Sequence, residues 1–243
     1  MAYNLEVKVV RETYIDELLS TAPQFNFLKG RSLVESDSTR WNMNGSKAFC
    51  LQAMFIGKTG YGKSSTLNRI CGKYLFPTSD TESCTKKLYS GEFKMNSSKN
   101  HYFTLCDLPG IGESDKADEG YQTWYKQMLY YSSCVVYLLR ADQRDFSRDE
   151  IVINSLLRDN GKISPKLLVG LNYADKIEPV TRVSPFAPNS AQKANLESKV
   201  SATSKALNIP SDRIIYYSAT EGYNFNLLLE KISGIVKNSD ALR

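Results

Sequence analysis

The 243-residue chain contains one histidine and no C-x-x-C pair. That histidine, His101, opens an apolar strand-like run (HYFTLCD), so no Ser/His/Asp set can be built around it. No His/Cys cluster offers a zinc site either. The five cysteines are an odd count. Three of them, Cys50, Cys106 and Cys134, lie in apolar runs, where a thiol acts as a small buried hydrophobe. A reducing cytoplasm suits such a set. No apolar stretch approaches the ~20 residues needed to cross a bilayer, and no N-terminal signal pattern is visible. A soluble, cytoplasmic protein is therefore expected. Dense Lys/Arg blocks are also missing: 31 basic and 26 acidic residues are scattered, for a net charge of +5. Such a balance permits contact with an acidic membrane surface but gives no strong nucleic-acid signal. No internal repeat is present.

What the chain does have is an ordinary folded composition, 42% hydrophobic and 23% charged, with a length that suits one core and a small appendage. It is organised around GKTGYGKSS: Gly57, Lys58, Thr59, Gly60, Tyr61, Gly62, Lys63, Ser64 and Ser65. An apolar run (AFCLQAMFI) precedes these residues. Apolar positions at helical spacing follow them: Leu67, Ile70 and Cys71, closed by Gly72. This is the strand–loop–helix setting of the phosphate-binding pattern G-x-x-x-x-G-K-[ST]. Gly57 and Gly62 permit backbone geometry that a Cβ obstructs, so successive amides can turn inward on phosphate oxygens. The helix that follows adds unpaired amides and the positive end of its dipole. Lys63 can reach the β- and γ-phosphates, and the Ser64 hydroxyl can ligate Mg²⁺.

Beyond this loop the chain alternates strand and helix patterns. Strands are expected at LYSGEFKM, HYFTLCD, CVVYLLR, KLLVGLN and RIIYYS. Helices are expected near 121–131, 149–158 and 196–207 and in an amphipathic C-terminal segment. Alternation of this kind predicts an α/β fold with a mostly parallel sheet covered on both faces. Residues 1–47 read as an N-terminal extension, with a strand at LEVKV and a short helix at Ile15, Leu18 and Leu19; residues 48–243 form the main domain. Pro179, Pro185 and Pro188 mark 177–190 as a long surface loop.

Four further signals sit at strand ends or in loops, where such sheets place ligands. Asp107 in DLPG can hold Mg²⁺ through water, and the Gly110 amide can sense a γ-phosphate. Thr85 lies where a mobile loop places a hydroxyl on Mg²⁺ and the γ-phosphate, with Thr81 as a competitor. Asp175 in NYAD can accept from both N1–H and N2–H of guanine, a donor pair adenine lacks, and Asn172 can tie that loop to the phosphate loop. Ser218, Ala219 and Thr220 follow the last strand, where the Ala219 amide can donate to guanine O6.

In this order, GKTGYGKSS, DLPG, NYAD and YSAT resemble the G domain of the TRAFAC-class P-loop GTPases. Within that class the chain is similar to the Era-like (TrmE–Era–EngA–septin) superfamily, including the bacterial YfjP/YeeP group, which LLRADQRDFSRDE and NYADKIEP also resemble. The resemblance spans about four-fifths of the chain. It implies a three-layer fold with a six-stranded sheet, one edge strand antiparallel. It also implies GTP/GDP binding with Mg²⁺ and GTP hydrolysis. Lys63, Thr85 and Gly110 would then be catalytic, Ser64, Thr85 and Asp107 would hold the metal, and Tyr173 would join the base site. A homodimer through the nucleotide face and an activating protein are the partners it implies.

Three departures modify those expectations. Tyr173 replaces the lysine of N-K-x-D, where its ring can still cover the base. Ile111 stands where Ras-like enzymes carry the water-orienting glutamine, which predicts slow intrinsic turnover. Gly60 replaces the asparagine that helps many Era-like proteins hold K⁺. The resulting T-G-x-G-K-S form resembles septins, immunity-related GTPases and the AIG1/Toc group, so a nucleotide-gated assembly stays open as an alternative to a monomeric switch. A ribosome- or RNA-associated factor is a third reading.

Overall fold

A computed structural model describes residues 7–34, 40–43, 46–78, 87–110, 125–126, 128–158, 164–180 and 183–242. Its strands are β1 (Val7–Tyr14), β2 (Arg40–Met43), β3 (Ser46–Ile56), β4 (Leu88–Lys94), β5 (His101–Asp107), β6 (Cys134–Arg140), β7 (Leu167–Asn172) and β8 (Ile214–Tyr216). Its helices are α1 (Ile15–Leu19), α2 (Lys63–Cys71), α3 (Ser147–Arg158), α4 (Ser190–Leu207) and α5 (Phe225–Lys237). The strands form one sheet in the order β1-β4-β5-β3-β6-β7-β8, with β2 paired to β3.

The centre follows from composition. CVVYLLR and LLVGLN are apolar along their whole length, and every position of β7 and all but the last of β6 are buried. A strand hydrophobic on both faces is stable only between two layers. β3 runs parallel to β5 and β6, and β6, β7 and β8 continue in parallel. Their C-terminal ends therefore gather at one rim, where β3, β5, β6 and β7 deliver Gly57, Leu108, Ala141 and Tyr173.

The strand count corrects the expected six. β4 is antiparallel to β5, as the resemblance implied, but it is not the edge of the sheet. β1 lies outside it, parallel, from Val7 opposite Leu88 to Tyr14 opposite Lys94. β2 adds an antiparallel pair at the start of β3, within the stretch expected to be an extension. The first four residues of β3 pair with β2, its last four with β6, and its middle stretch with β5.

Residues 7–34 pack onto the sheet closely. Ile15, Leu18, Phe25 and Leu28 are buried, and the Phe25 and Phe103 rings meet at 5.0 Å between centroids. Thr21 Oγ1 donates to Ile70 O at 2.7 Å, joining this segment to the end of α2. Leu33 N–H donates to His101 Nδ1 at 2.8 Å. The single histidine is thus a structural acceptor, with its pKa lowered by burial. Cys50, Cys71, Cys106 and Cys134 are free and buried; burial pushes the thiols of Cys50, Cys71 and Cys134 up to about 12. Among the described residues no helix is long and apolar enough to cross a membrane.

Candidate functional site

The loop from Gly57 to Gly62 leaves β3 and opens α2. Gly57, Gly60 and Gly62 have φ of 140°, 82° and 84°, the region that L side chains rarely adopt. At Gly57 a Cβ would lie 2.5 Å from the Leu138 carbonyl oxygen; at Gly62 it would strike the Asn172 amide. Glycine is required here by backbone conformation and by space together. Gly62 caps α2 without a side-chain bond, so the first-turn amides of that helix keep no capping side chain.

Lys63 is buried, and its Nζ donates to Gly57 O at 3.1 Å and Lys58 O at 3.2 Å. Ser64 Oγ donates to Asp107 Oδ2 at 2.5 Å. Asp107 is fully buried, and its Oδ1 has no hydrogen-bond partner. Burial raises its pKa to about 6, while the Lys63 charge and the Ser64 bond pull it back down. A hydroxyl beside a carboxylate with an unused oxygen is a hard-oxygen donor set, which fits Mg²⁺. Gly110 closes on the same loop: a Cβ there would lie 2.7 Å from the Thr59 nitrogen.

The NYAD loop joins from the other side. Asn172 Nδ2 donates to Tyr61 O at 3.2 Å, and its Oδ1 accepts from Ala219 N–H at 3.0 Å. One side chain therefore stitches three loops together. The Ala219 amide, expected on guanine O6, is here part of that anchor. Tyr173, at φ 63°, donates its hydroxyl to Gly60 O at 3.1 Å, and the Arg140 guanidinium lies 4.1 Å from its ring centroid. Asp175 is buried, with Oδ2 3.1 Å from Lys176 Nζ and Oδ1 unpartnered. Ser218 Oγ accepts from Glu221 N–H at 3.0 Å. The carbonyls of Ala219 and Thr220 each accept from Arg69 Nη1 at 3.0 Å.

The structure thus brings together the loop residues, Asp107, Gly110, Asn172, Tyr173, Asp175 and residues 218–220 at one rim. Ser65, Thr59 and Gly60 lie on its exposed margin. Thr85, its competitor Thr81, and Ile111 lie outside the described residues. Three supports were not anticipated from sequence. Arg69 reaches from the last turn of α2 to the 218–220 loop. Thr66 Oγ1 and Tyr217 Oη meet at 2.8 Å beneath it. The buried Asp149 of α3 grips the phosphate loop from outside. None of these contacts carries a sequence signature.

A family model described as the 50S ribosome-binding GTPase matches residues 52–172, the stretch that runs from β3 through the phosphate loop and Asp107 to Asn172. The chain belongs to this family of P-loop GTPases. Among similar proteins, the uncharacterized Escherichia coli protein YkfA is 32% identical over 145 residues, covering 60% of this chain and 48% of YkfA. The uncharacterized Escherichia coli protein YfjP is 29% identical over 183 residues, covering 73% of this chain and 60% of YfjP. The chain thus spans about half to three-fifths of the length of these two relatives. A probable GTP-binding protein EngB of Gemmatimonas aurantiaca is 27% identical over 175 residues, covering 69% of this chain and 74% of that protein. Among solved structures, a chloroplast translocon component (Toc33 or Toc159) superposes with a TM-score of 0.61 at 16% identity, over 94% of this chain and 92% of that one. Aquifex aeolicus Era superposes at 0.57 with 23% identity, over 80% of this chain and 59% of Era. At such identities these two likenesses establish the GTPase fold.

Proposed function

We propose that this chain binds GTP and GDP with Mg²⁺ and hydrolyses GTP, acting as a switch with slow turnover of its own. Nucleotide binding is assigned to residues 48–243, with 1–47 as an extension. The observation that supports this most is the 2.5 Å meeting of Ser64 with the buried, half-paired Asp107 beneath the Lys63 loop. Ser64 and Asp107 would hold the metal, with Thr85 as a third ligand. Held there, Mg²⁺ would supply positive charge to the phosphate oxygens as a Lewis acid. Lys63 and the loop amides stabilise charge on the transferring phosphoryl group. Asp175 accepts the two N–H groups of guanine through the carboxylate whose Oδ1 is unused. Ile111 has no acceptor with which to orient water, so a backbone group or a partner must do so. A partner-supplied group accelerates related reactions by ~10³–10⁵-fold.

The test is calorimetric titration of GTP, GDP and ATP with and without Mg²⁺, followed by phosphate release. Binding of GTP and GDP but not ATP is expected. Comparable ATP binding, or no GTP binding, overturns the assignment.

A second reading, nucleotide-gated pairing of two copies, is favoured by the T-G-x-G-K-S loop. In the chloroplast translocon components Toc33 and Toc159, moreover, dimerisation is important for GTPase activity. Size-exclusion with GDP against a non-hydrolysable GTP analogue separates the readings, since a monomeric switch keeps its mass.

A further inference from the structure

The phosphate loop is gripped on its outer side by one carboxylate near the end of the LLRADQRDFSRDE run, to which the sequence assigns no role. Asp149, in the first turn of α3, is fully buried. Its Oδ2 accepts from Lys58 Nζ at 2.7 Å and from Tyr61 Oη at 3.1 Å, and its Oδ1 accepts from Tyr137 Oη at 2.9 Å. Lys58 and Tyr61 are the second and fifth residues of the loop, so they bracket its free arc, and Tyr137 comes from the centre of β6. A buried carboxylate is expensive unless its lone pairs are met by strong donors. Here an ammonium and two phenols meet them. Burial works against the Lys58 ammonium, but the Asp149 carboxylate outweighs it and holds its pKa above that of an ordinary lysine. Burial, reinforced by the same charge, pushes the Tyr137 phenol well above its usual range.

The geometry points to Asp149 as a positioning residue for phosphate binding: it fixes the arc of the loop and turns the Lys58 ammonium away from the cradle. This rests on the nucleotide-binding reading above. Two consequences follow from the contacts. With Lys58 neutralised by Asp149, Lys63 is left as the loop lysine that serves the phosphates. The start of α3 and the phosphate loop also become one mechanical unit, because Lys58, Tyr61 and Tyr137 converge on a single side chain. Loop amides can act on phosphate without reorganising only if something outside the ligand holds their backbone.

The experiment measures affinities for GMP, GDP and GTP in the full chain carrying Asp149→Asn, Lys58→Met or both, beside thermal unfolding without nucleotide. Asp149→Asn is expected to weaken GDP and GTP about tenfold, the size of one charge-assisted bond lost from the support. GMP, which carries no β- or γ-phosphate for the arc to hold, should be affected far less. Lys58→Met should give a selective loss of the same kind, and the double variant should be no worse than Asp149→Asn alone, because the Lys58 contact is already broken there. Unchanged or tighter GDP binding by Asp149→Asn overturns the inference, since a liberated Lys58 would then be helping the phosphates directly. An equal loss for all three nucleotides also overturns it, because that marks general loosening of the fold. Should Asp149→Asn fail to fold, Lys58→Met decides, and undiminished GDP affinity in that variant rejects the role. Wild-type protein that binds neither GDP nor GTP would refute the nucleotide reading itself, an outcome distinct from these.

Discussion

The two ends of the candidate site are built on different plans. At the phosphate end, the loop is held by bonds from outside it: Asp149 takes Lys58 and Tyr61, Tyr173 takes the Gly60 carbonyl, and Asn172 takes the Tyr61 carbonyl. At the base end, the support runs through main chain. Arg69 holds the carbonyls of Ala219 and Thr220, and Asn172 holds the Ala219 amide. Asp175, the side chain proposed to read the base, keeps one oxygen unpaired. On the proposed reading, the phosphate end is a fixed cradle that contributes affinity to any nucleoside di- or triphosphate. On the same reading, the base end is a probe on a fixed stem and contributes choice. A carboxylate oxygen left unpaired in a buried place is costly, and that cost is offset only when the correct base supplies its donors.

Substitutions at the two ends should therefore fail in different ways. Lys63→Ala has the largest expected effect. It removes the buried ammonium and should take GTP and GDP binding below detection in calorimetry; retained affinity would show that the cradle lies elsewhere. Asp175→Asn comes next and should act on choice. The second acceptor becomes a donor, GTP affinity drops by about 10²–10⁴-fold, and xanthosine triphosphate becomes the better ligand in a competition assay. A variant that still prefers GTP would remove Asp175 from base recognition. Gly62→Ala is expected to weaken GDP and GTP together by about 10- to 100-fold, because φ of 84° is strained for alanine and its methyl displaces Asn172. If the discrimination between GTP and ATP also collapses, Asn172 transmits strain from one end to the other. Tyr173→Phe is the mildest: it removes the bond to Gly60 O but keeps the ring, for a loss of about two- to tenfold in all guanine nucleotides. Selectivity should be untouched, and a change in the GTP-to-XTP ratio would place the tyrosine with the probe rather than the cradle.

How far each end could be read in advance tracks the same division. GKTGYGKSS is legible because its chemistry depends on local backbone: glycines for conformation, a lysine and a serine at fixed offsets, a strand before and a helix after. Asp107 and Asn172 are legible because each directly ends an apolar run, and a strand end in a parallel sheet is where a ligand can be reached. The supports are another matter. Asp149 looks like any acidic residue in the first turn of a helix, where the dipole alone accounts for it, and Arg69 looks like a basic residue in a last turn. Their holds on the phosphate loop and the 218–220 loop are contacts 88 to 151 positions apart in sequence, which neither periodicity nor motif encodes. The fold divides similarly. β6 and β7 announce themselves by unbroken apolarity. β2, in RWNM, carries the composition of a break and is a strand only because the start of β3 offers it a pairing edge.

The placement of β1 bears on how this molecule should be handled. Val7–Tyr14 occupies the flank of β4 that would otherwise present bare amides and carbonyls, and the aromatic Phe25 behind it shields Phe103. Trimming the polypeptide to a minimal GTPase core by deleting its first forty-odd residues would uncover a ready template for stray strands and an oily patch beside it. Such a fragment is apt to precipitate or to associate with itself for reasons unrelated to nucleotide, and self-association measured on it would say little about the intact molecule.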